Sequence, residues 1–257
     1  MSRIGIADRP AMDAPQPLLR ERWRADVDGK PVDLFTIANA AGMTVRATNW
    51  GARIMQILVP DRDGRFGDVA LGYDSLADAQ AGQPSMGAFI GRYANRIASG
   101  QFRLDGQRYV LSRNDGPHHL HGGSKGSRFR VFDAEQVDGA TLRLRYRYVD
   151  GEEGYPGNLD SEVEYHIGAT NELVISYSAQ SDRSTVVNFT SHVFFNLRGD
   201  GGDILDHRLT IHADAITPVD GTFRIIADTK YRYHADGLPR VRLSGKPYLA
   251  LRIRRVD

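Results

Sequence analysis

Three short segments of this 257-residue chain hold side chains whose types and spacing suit chemistry. The first is GRYANRI, Gly91 to Ile97, where Asn95 and Arg96 stand side by side just after an apolar run. The second is LHGGSKG, Leu120 to Gly126, where His121 precedes paired glycines that let a backbone approach a ligand closely. The third is VNFTSHVFFNL, Val187 to Leu197, with His192 among Phe189, Val193, Phe194 and Phe195. Histidine titrates near neutrality, so burial and polar neighbours can tune His192 for proton transfer. The same surroundings equally suit a core histidine held by backbone hydrogen bonds. The residues alone leave both readings open.

Other chemistries can be tested against spacing. His119-x-His121 on a strand would turn two rings to one face, as a metal site needs. A carboxylate four or five residues later would strengthen that reading, but those positions are Lys125 and Gly126. The pair by itself specifies no metal. His118 and His119 read instead as turn histidines that touch solvent. Gly122 to Ser127 (GGSKGS) has the wrong spacing for a phosphate loop, and no G-x-S-x-G elbow occurs. The chain has no cysteine, which removes disulfides, a thiolate nucleophile, Cys-ligated zinc and iron–sulfur clusters together.

The elements that must position these residues are strands. Thr141 to Val149 (TLRLRYRYV) places Leu142, Leu144, Tyr146 and Tyr148 on one face and Arg143, Arg145 and Arg147 on the other. That strict period of two predicts a half-buried strand. Asp105-Gly106 between FRL and RYVL predicts a tight hairpin, and Asp61 to Gly64 (DRDG) predicts another turn. Leu173 to Ala179 and His207 to Ala213 are further strand candidates, and Ser75 to Gln80 is the best helical piece. Many short strands broken by Gly, Asp and Asn turns predict an all-β sandwich or barrel in one domain.

Composition is that of a globular protein, with 41% hydrophobic and 25% charged residues. The 33 Lys+Arg against 32 Asp+Glu give no basic excess for a nucleic-acid partner. Apolar stretches fall far short of the roughly 20 residues of a membrane span. The N-terminus has no apolar h-region, so no secretory signal is read and a cytoplasmic location is expected. Residues 1–17, with three prolines, predict a mobile leader. Residues 1–222 carry 24 Lys+Arg and 29 Asp+Glu, whereas residues 223–257 carry nine and three. The net charge therefore switches from −5 to +6, and no glutamate follows Glu172. The basic tail RVRLSGKPYLALRIRR alternates in a way that suits an edge strand.

Taken together, the segments resemble the aldose 1-epimerase (galactose mutarotase) family. The likeness is carried by NWGARI at Asn49 to Ile54, GRYANRIASGQFRLDG at Gly91 to Gly106 and LHGG at Leu120 to Gly123. DGEEGYPGNL at Asp150 to Leu159, VNFTSHVFFNLRG at Val187 to Gly199 and ADAITPVD at Ala213 to Asp220 follow in the family order. It runs from about Leu34 to Gly221, within a sandwich expected over residues 18–222. The resemblance implies a large antiparallel β-sandwich that binds a hexose and uses no cofactor or metal. It implies that Asn95, Arg96 and His121 bind sugar hydroxyls and that His192 is the acid that protonates the ring oxygen. The bland readings beside these are an ion pair for Arg96 and a turn residue for His121. Glu152 and Glu153 are expected to serve the loop and the fold.

After Thr222 the likeness stops. A GYDHN-like stretch with a sugar-binding Asp, and a distal Glu that acts as base, have no counterpart. A frameshifted or truncated tail is the reading this suggests, with Asp228 and Asp236 as the carboxylates available to replace the base. The expected activity is anomer interconversion of hexoses such as galactose or glucose, impaired by the missing base. The alternative is a non-catalytic carbohydrate-binding remnant.

Overall fold

In the computed structural model, residues 15–83, 85–199 and 201–205 are described, together with His207, Leu209, Thr210, Gly221, Arg252 and Ile253. A 3-10 turn at Arg20–Trp23 buries Trp23 and leads into a hairpin of β1 (Ala25–Val27) and β2 (Lys30–Val32). A four-stranded antiparallel sheet follows in sequence order: β3 (Leu34–Ala38), β4 (Thr44–Thr48), β5 (Arg53–Pro60) and β6 (Phe66–Asp68). The DRDG turn joins the last two. The Asp61 carboxylate accepts the N–H groups of Asp63 and Arg65, and Gly64 takes φ 76°. Helix α1 (Leu76–Ala81) starts where Ser75 accepts the N–H of Asp78, an N-cap that explains its onset.

Five short strands come next: β7 (Phe89–Ile90), β8 (Arg96–Ile97), β9 (Gln101–Leu104), β10 (Gln107–Val110) and β11 (His119–Leu120). β9 and β10 form the expected hairpin, with Asp105 at φ 50° and Gly106 at φ 79°, the positive angles a tight turn demands. The second four-stranded antiparallel sheet contains β12 (Asp133–Gln136), β13 (Thr141–Tyr148), β14 (Leu159–Ile167) and β15 (Leu173–Ser181), again in sequence order. β16 (Thr190–Ser191) pairs with β7, and β17 (Leu209–Thr210) with β18 (Arg252–Ile253).

The alternation in β13 decides how the second sheet lies. Leu142, Leu144 and Tyr148 are buried, while Arg143, Arg145 and Arg147 pair with Glu135, Glu162, Glu164 and Asp160 of the neighbouring strands. Such wet ion pairs contribute about 0–1 kcal/mol each. Burying a Leu, Ile or Val side chain contributes about 1.5–3 kcal/mol, so the inner face carries the sheet. That face meets the first sheet in one core. Ile37, Val45, Ile54 and Ile57 pack with Leu142, Leu144, Val163, Tyr165 and Ile167, and with Phe89 and Phe132. Tyr165 donates its hydroxyl to the Ala52 carbonyl across the core at 2.6 Å. The fold is the all-β antiparallel sandwich that the sequence predicts.

Residues 1–14 of the expected leader lie outside the described residues. Gln16 is held where its carbonyl accepts Gln56 Nε2 at 3.0 Å. The basic tail also lies outside them apart from β18, as do Asp228, Asp236 and most of the candidate strand after His207. Among the described residues, no helix is long and apolar enough to cross a membrane.

Candidate active site

The segment from Phe89 to Ile97 is a spine with one of the other two motifs on each side. On the first side, β16 pairs with β7, placing Thr190 opposite Ile90 and Ser191 opposite Phe89. Asn188 continues the seam. Its N–H donates to Arg92 O at 3.0 Å, its carbonyl accepts Ala94 N–H at 2.7 Å, and its Nδ2 donates to Ala94 O at 3.0 Å. His192 is fixed by its own backbone, donating to Ala88 O at 2.9 Å and accepting from Gly87 N–H at 3.0 Å. On the second side, β11 pairs with β8, placing Leu120 opposite Arg96.

Asn95 and His121 close that second seam. Both lie in the left-handed region, at φ 66° and 55°, which asparagine tolerates better than most residues. His121 N–H donates to Asn95 O at 3.1 Å, and Asn95 N–H donates to His121 Nδ1 at 3.0 Å. Because Nδ1 accepts, the proton of the neutral ring resides on Nε2, which is left as a donor. Burial pushes the His121 pKa down to about 4, helped by the positive charges of His192, Arg128 and Arg96 and opposed by Asp115. His121 is therefore uncharged at neutral pH. The His192 ring stands perpendicular to it with centroids 5.3 Å apart, and Phe194 lies 5.0 Å from His192 on another side. Arg96 Nε donates to Asp115 Oδ2 at 2.6 Å, so the ion-pair reading of Arg96 is realised in the structure.

Two expectations need correction. His118 and His119 are buried, at 7% and 0% exposure, and do not touch solvent as turn residues. His118 Nδ1 accepts Ser99 N–H at 3.1 Å. His119 Nδ1 lies 2.7 Å from Ser112 O and must donate to it, which leaves Nε2 to accept the Tyr155 hydroxyl at 2.7 Å. The β8–β11 pairing draws this stretch inward. His119 is thereby committed to partners that a shared metal with His121 would have to displace. No group of three or more His, Asp or Glu among the described residues could hold a metal ion. The paired glycines also serve a different end. A Cβ on Gly122, at φ 77°, would lie 1.9 Å from Gly91 O, and one on Gly123 would meet the Glu153 carboxylate. They let the chain approach itself.

Glu153 accepts Lys125 N–H at 2.6 Å and the Ser112 hydroxyl, and Glu152 pairs with Arg130 at 3.1 Å. Both hold loops, as expected. Sequence reading passed over three buried arginines, Arg53, Arg92 and Arg128. Arg92 sends Nη1 to Pro156 O at 2.7 Å and Nη2 to Gly157 O at 2.9 Å, which ties the GYPGN loop to the spine. Arg53 donates to the carbonyls of Met86 and Arg128 at 2.8 Å each, under Trp50. Burial lowers its pKa to about 10, so it remains a cation at neutrality. The signal was present in retrospect, since Arg53 and Arg92 interrupt apolar runs in the motifs themselves.

Residues 33–236 match the family model of the aldose 1-epimerases. The chain belongs to the aldose 1-epimerase family. Its sequence is 46% identical over 179 residues to galactose mutarotase of Bos taurus, covering 69% of this chain and 52% of the relative. It is 38% identical over 203 residues to aldose 1-epimerase of Escherichia coli (strain K12), covering 79% and 59%. Among solved structures, an aldose epimerase homologue from C. elegans superposes with a TM-score of 0.71 at 31% identity, over 77% of this chain and 62% of that one. Galactose 1-epimerase from Lactobacillus acidophilus gives 0.70 at 31%, over 79% and 60%. This aldose 1-epimerase family member thus spans about half to three-fifths of the length of the curated relatives it matches.

Proposed function

We propose that this family member interconverts the α and β anomers of hexoses such as galactose or glucose by opening and reclosing the sugar ring. The observation that carries the reading is the meeting of His121 and His192, from two separate motifs, with ring centroids 5.3 Å apart beside Asn95 and Arg96. In ring opening, His192 delivers a proton to the ring oxygen as its bond to C1 breaks, while a base removes the C1 hydroxyl proton. The aldehyde turns about C1–C2, and the reverse transfers close the ring on the other face. A general acid or base typically contributes about 10²–10⁴-fold.

His121, neutral and protonated on Nε2, serves as a hydrogen-bond donor to a sugar hydroxyl. It places no cation beside the proton that His192 carries. Asn95 and Arg96 supply further polar contacts to hydroxyls. A base takes up the C1 hydroxyl proton, a role we give to Asp228 or Asp236. The reading includes a cytoplasmic location and a place in hexose metabolism. The second reading is a carbohydrate-binding remnant that turns nothing over.

Polarimetry on freshly dissolved α-galactose and α-glucose, with calorimetry on the same sugars, tests both. Faster mutarotation than in buffer supports the enzyme. Binding without acceleration supports the remnant, and neither effect rejects the hexose site.

A further inference from the structure

The loop that begins at His121 is held by one side chain that sits behind it. Arg128, 5% exposed, donates Nη1 to the carbonyl of His121 and Nη2 to the carbonyl of Gly123 at 3.0 Å. Its guanidinium carbon lies 4.7 Å from the centroid of the Phe129 ring. Its own carbonyl accepts Arg53 Nη2 at 2.8 Å. The preceding residue grips the spine: Ser127 Oγ accepts Gly91 N–H at 2.7 Å and donates to Phe89 O at 2.8 Å. Two consecutive side chains therefore join the strand that pairs beside His192 to the loop that carries His121. A planar fork is needed for this, because it reaches two carbonyls two residues apart, whereas an ammonium is a single point of charge.

We propose that Arg128 is a positioning residue for His121. Its fork sets the loop so that His121 keeps Nδ1 on the Asn95 N–H and offers Nε2–H to the substrate. The proposal rests on the reading of His121 as a sugar-binding residue. It goes beyond that reading by assigning the orientation of His121 to a side chain that touches no sugar. The charged and titratable groups acting on His121 are consistent with it, since Arg128 stands with His192 and Arg96 in disfavouring a proton there, against Asp115.

The test compares Arg128→Met and Arg128→Lys with the unsubstituted 257-residue chain. Imidazole NMR, with the His121 signal assigned from a His121→Gln variant, follows the His121 titration. Calorimetry with galactose gives Kd. In the unsubstituted chain His121 should titrate near 4. In Arg128→Met its midpoint should rise but stay below the ordinary histidine range, because burial and His192 still act on it, and Kd should increase by about tenfold or more. Arg128→Lys, able to reach one carbonyl only, should fall between. A lower melting temperature with an unchanged His121 midpoint and unchanged Kd would overturn the proposal, because a residue serving only the fold behaves that way. If Arg128→Met does not fold, Arg128→Lys decides by the same two readings. If the unsubstituted chain binds no hexose, the proposed function fails separately, and the His121 midpoint in Arg128→Lys, which keeps the charge but not the fork, still decides the role of Arg128.

Discussion

Gly122→Ala probes the joint on which the whole site depends. The added Cβ would stand 1.9 Å from the Gly91 carbonyl oxygen, with further contacts at 2.6 and 2.8 Å to the same peptide, and backbone cannot swing aside as a flexible side chain can. Alanine at φ 77° costs about 1–2 kcal/mol in the left-handed region. Separating the two backbones adds about 1–3 kcal/mol of overpacking. The total of about 2–5 kcal/mol corresponds to a drop in Tm of about 5–20 °C for a chain of this size. Gly106→Ala is the internal control, because it shares the positive φ, 79°, but its Cβ would meet nothing within 4 Å. It should lose only the conformational part, about 1–2 kcal/mol. Thermal melts followed by circular dichroism read both variants. Gly122→Ala should in addition weaken galactose binding, since the shift falls between Gly91 and His121. Equal melting temperatures for the two variants would refute the close-approach explanation.

Other consequences can be measured on the same protein. Arg96→Ala and His121→Ala should each weaken hexose binding by about tenfold or more, as for loss of a charged or strongly polar partner; unchanged calorimetric Kd in folded variants would reject their assignment. His121, with its pKa lowered to about 4, should let binding persist from pH 8 to about 5 and fail as pH drops through 4, when the ring no longer accepts the Asn95 N–H. The same shift costs stability over the window from about 6.5 down to 4, because the unfolded chain takes up a proton that folded His121 refuses; the unfolding free energy should fall there by about 1.4 kcal/mol per pH unit, read as a falling Tm. Among the described residues β15 is an edge strand without a charged residue, with Val174 and Tyr177 47% and 38% exposed, so the chain should self-associate in sedimentation and Ser178→Lys should reduce it. A monomer at all concentrations would contradict that.

The parts of the fold legible in the sequence are those set by near neighbours. Alternation in Thr141–Tyr148, the Asp105-Gly106 turn and the helical piece from Ser75 each depend on residues a few positions apart. The three motifs could also be picked out, because histidines, adjacent polar residues and glycines stood where an apolar core alone would not place them. What could not be read depends on partners far along the chain. His119 is buried because Tyr155 and Ser112 supply its two hydrogen bonds. The neutral state of His121 follows from an Asn95 N–H 26 residues away and from burial that only the β8–β11 pairing creates. The glycines after His121 suggested room for a ligand, and the Gly91 carbonyl and the Glu153 carboxylate occupy that room. Arg53, Arg92 and Arg128 carry no local sign of the partners that bury them. Each is buried with its guanidinium on backbone carbonyls.

The most direct test of proton transfer at this site is polarimetry of freshly dissolved α-galactose with the unsubstituted chain and with His192→Asn. Asparagine keeps a hydrogen-bonding side chain but cannot exchange a proton near neutrality, and the backbone bonds of His192 to Gly87 and Ala88 remain available. Catalysis through His192 predicts mutarotation faster than in buffer for the unsubstituted chain, and a fall of about 10²–10⁴-fold in that excess for His192→Asn with nearly unchanged Tm and galactose Kd. A His192→Asn protein that keeps full activity, or one whose loss of activity only follows a collapse of Tm, would contradict it.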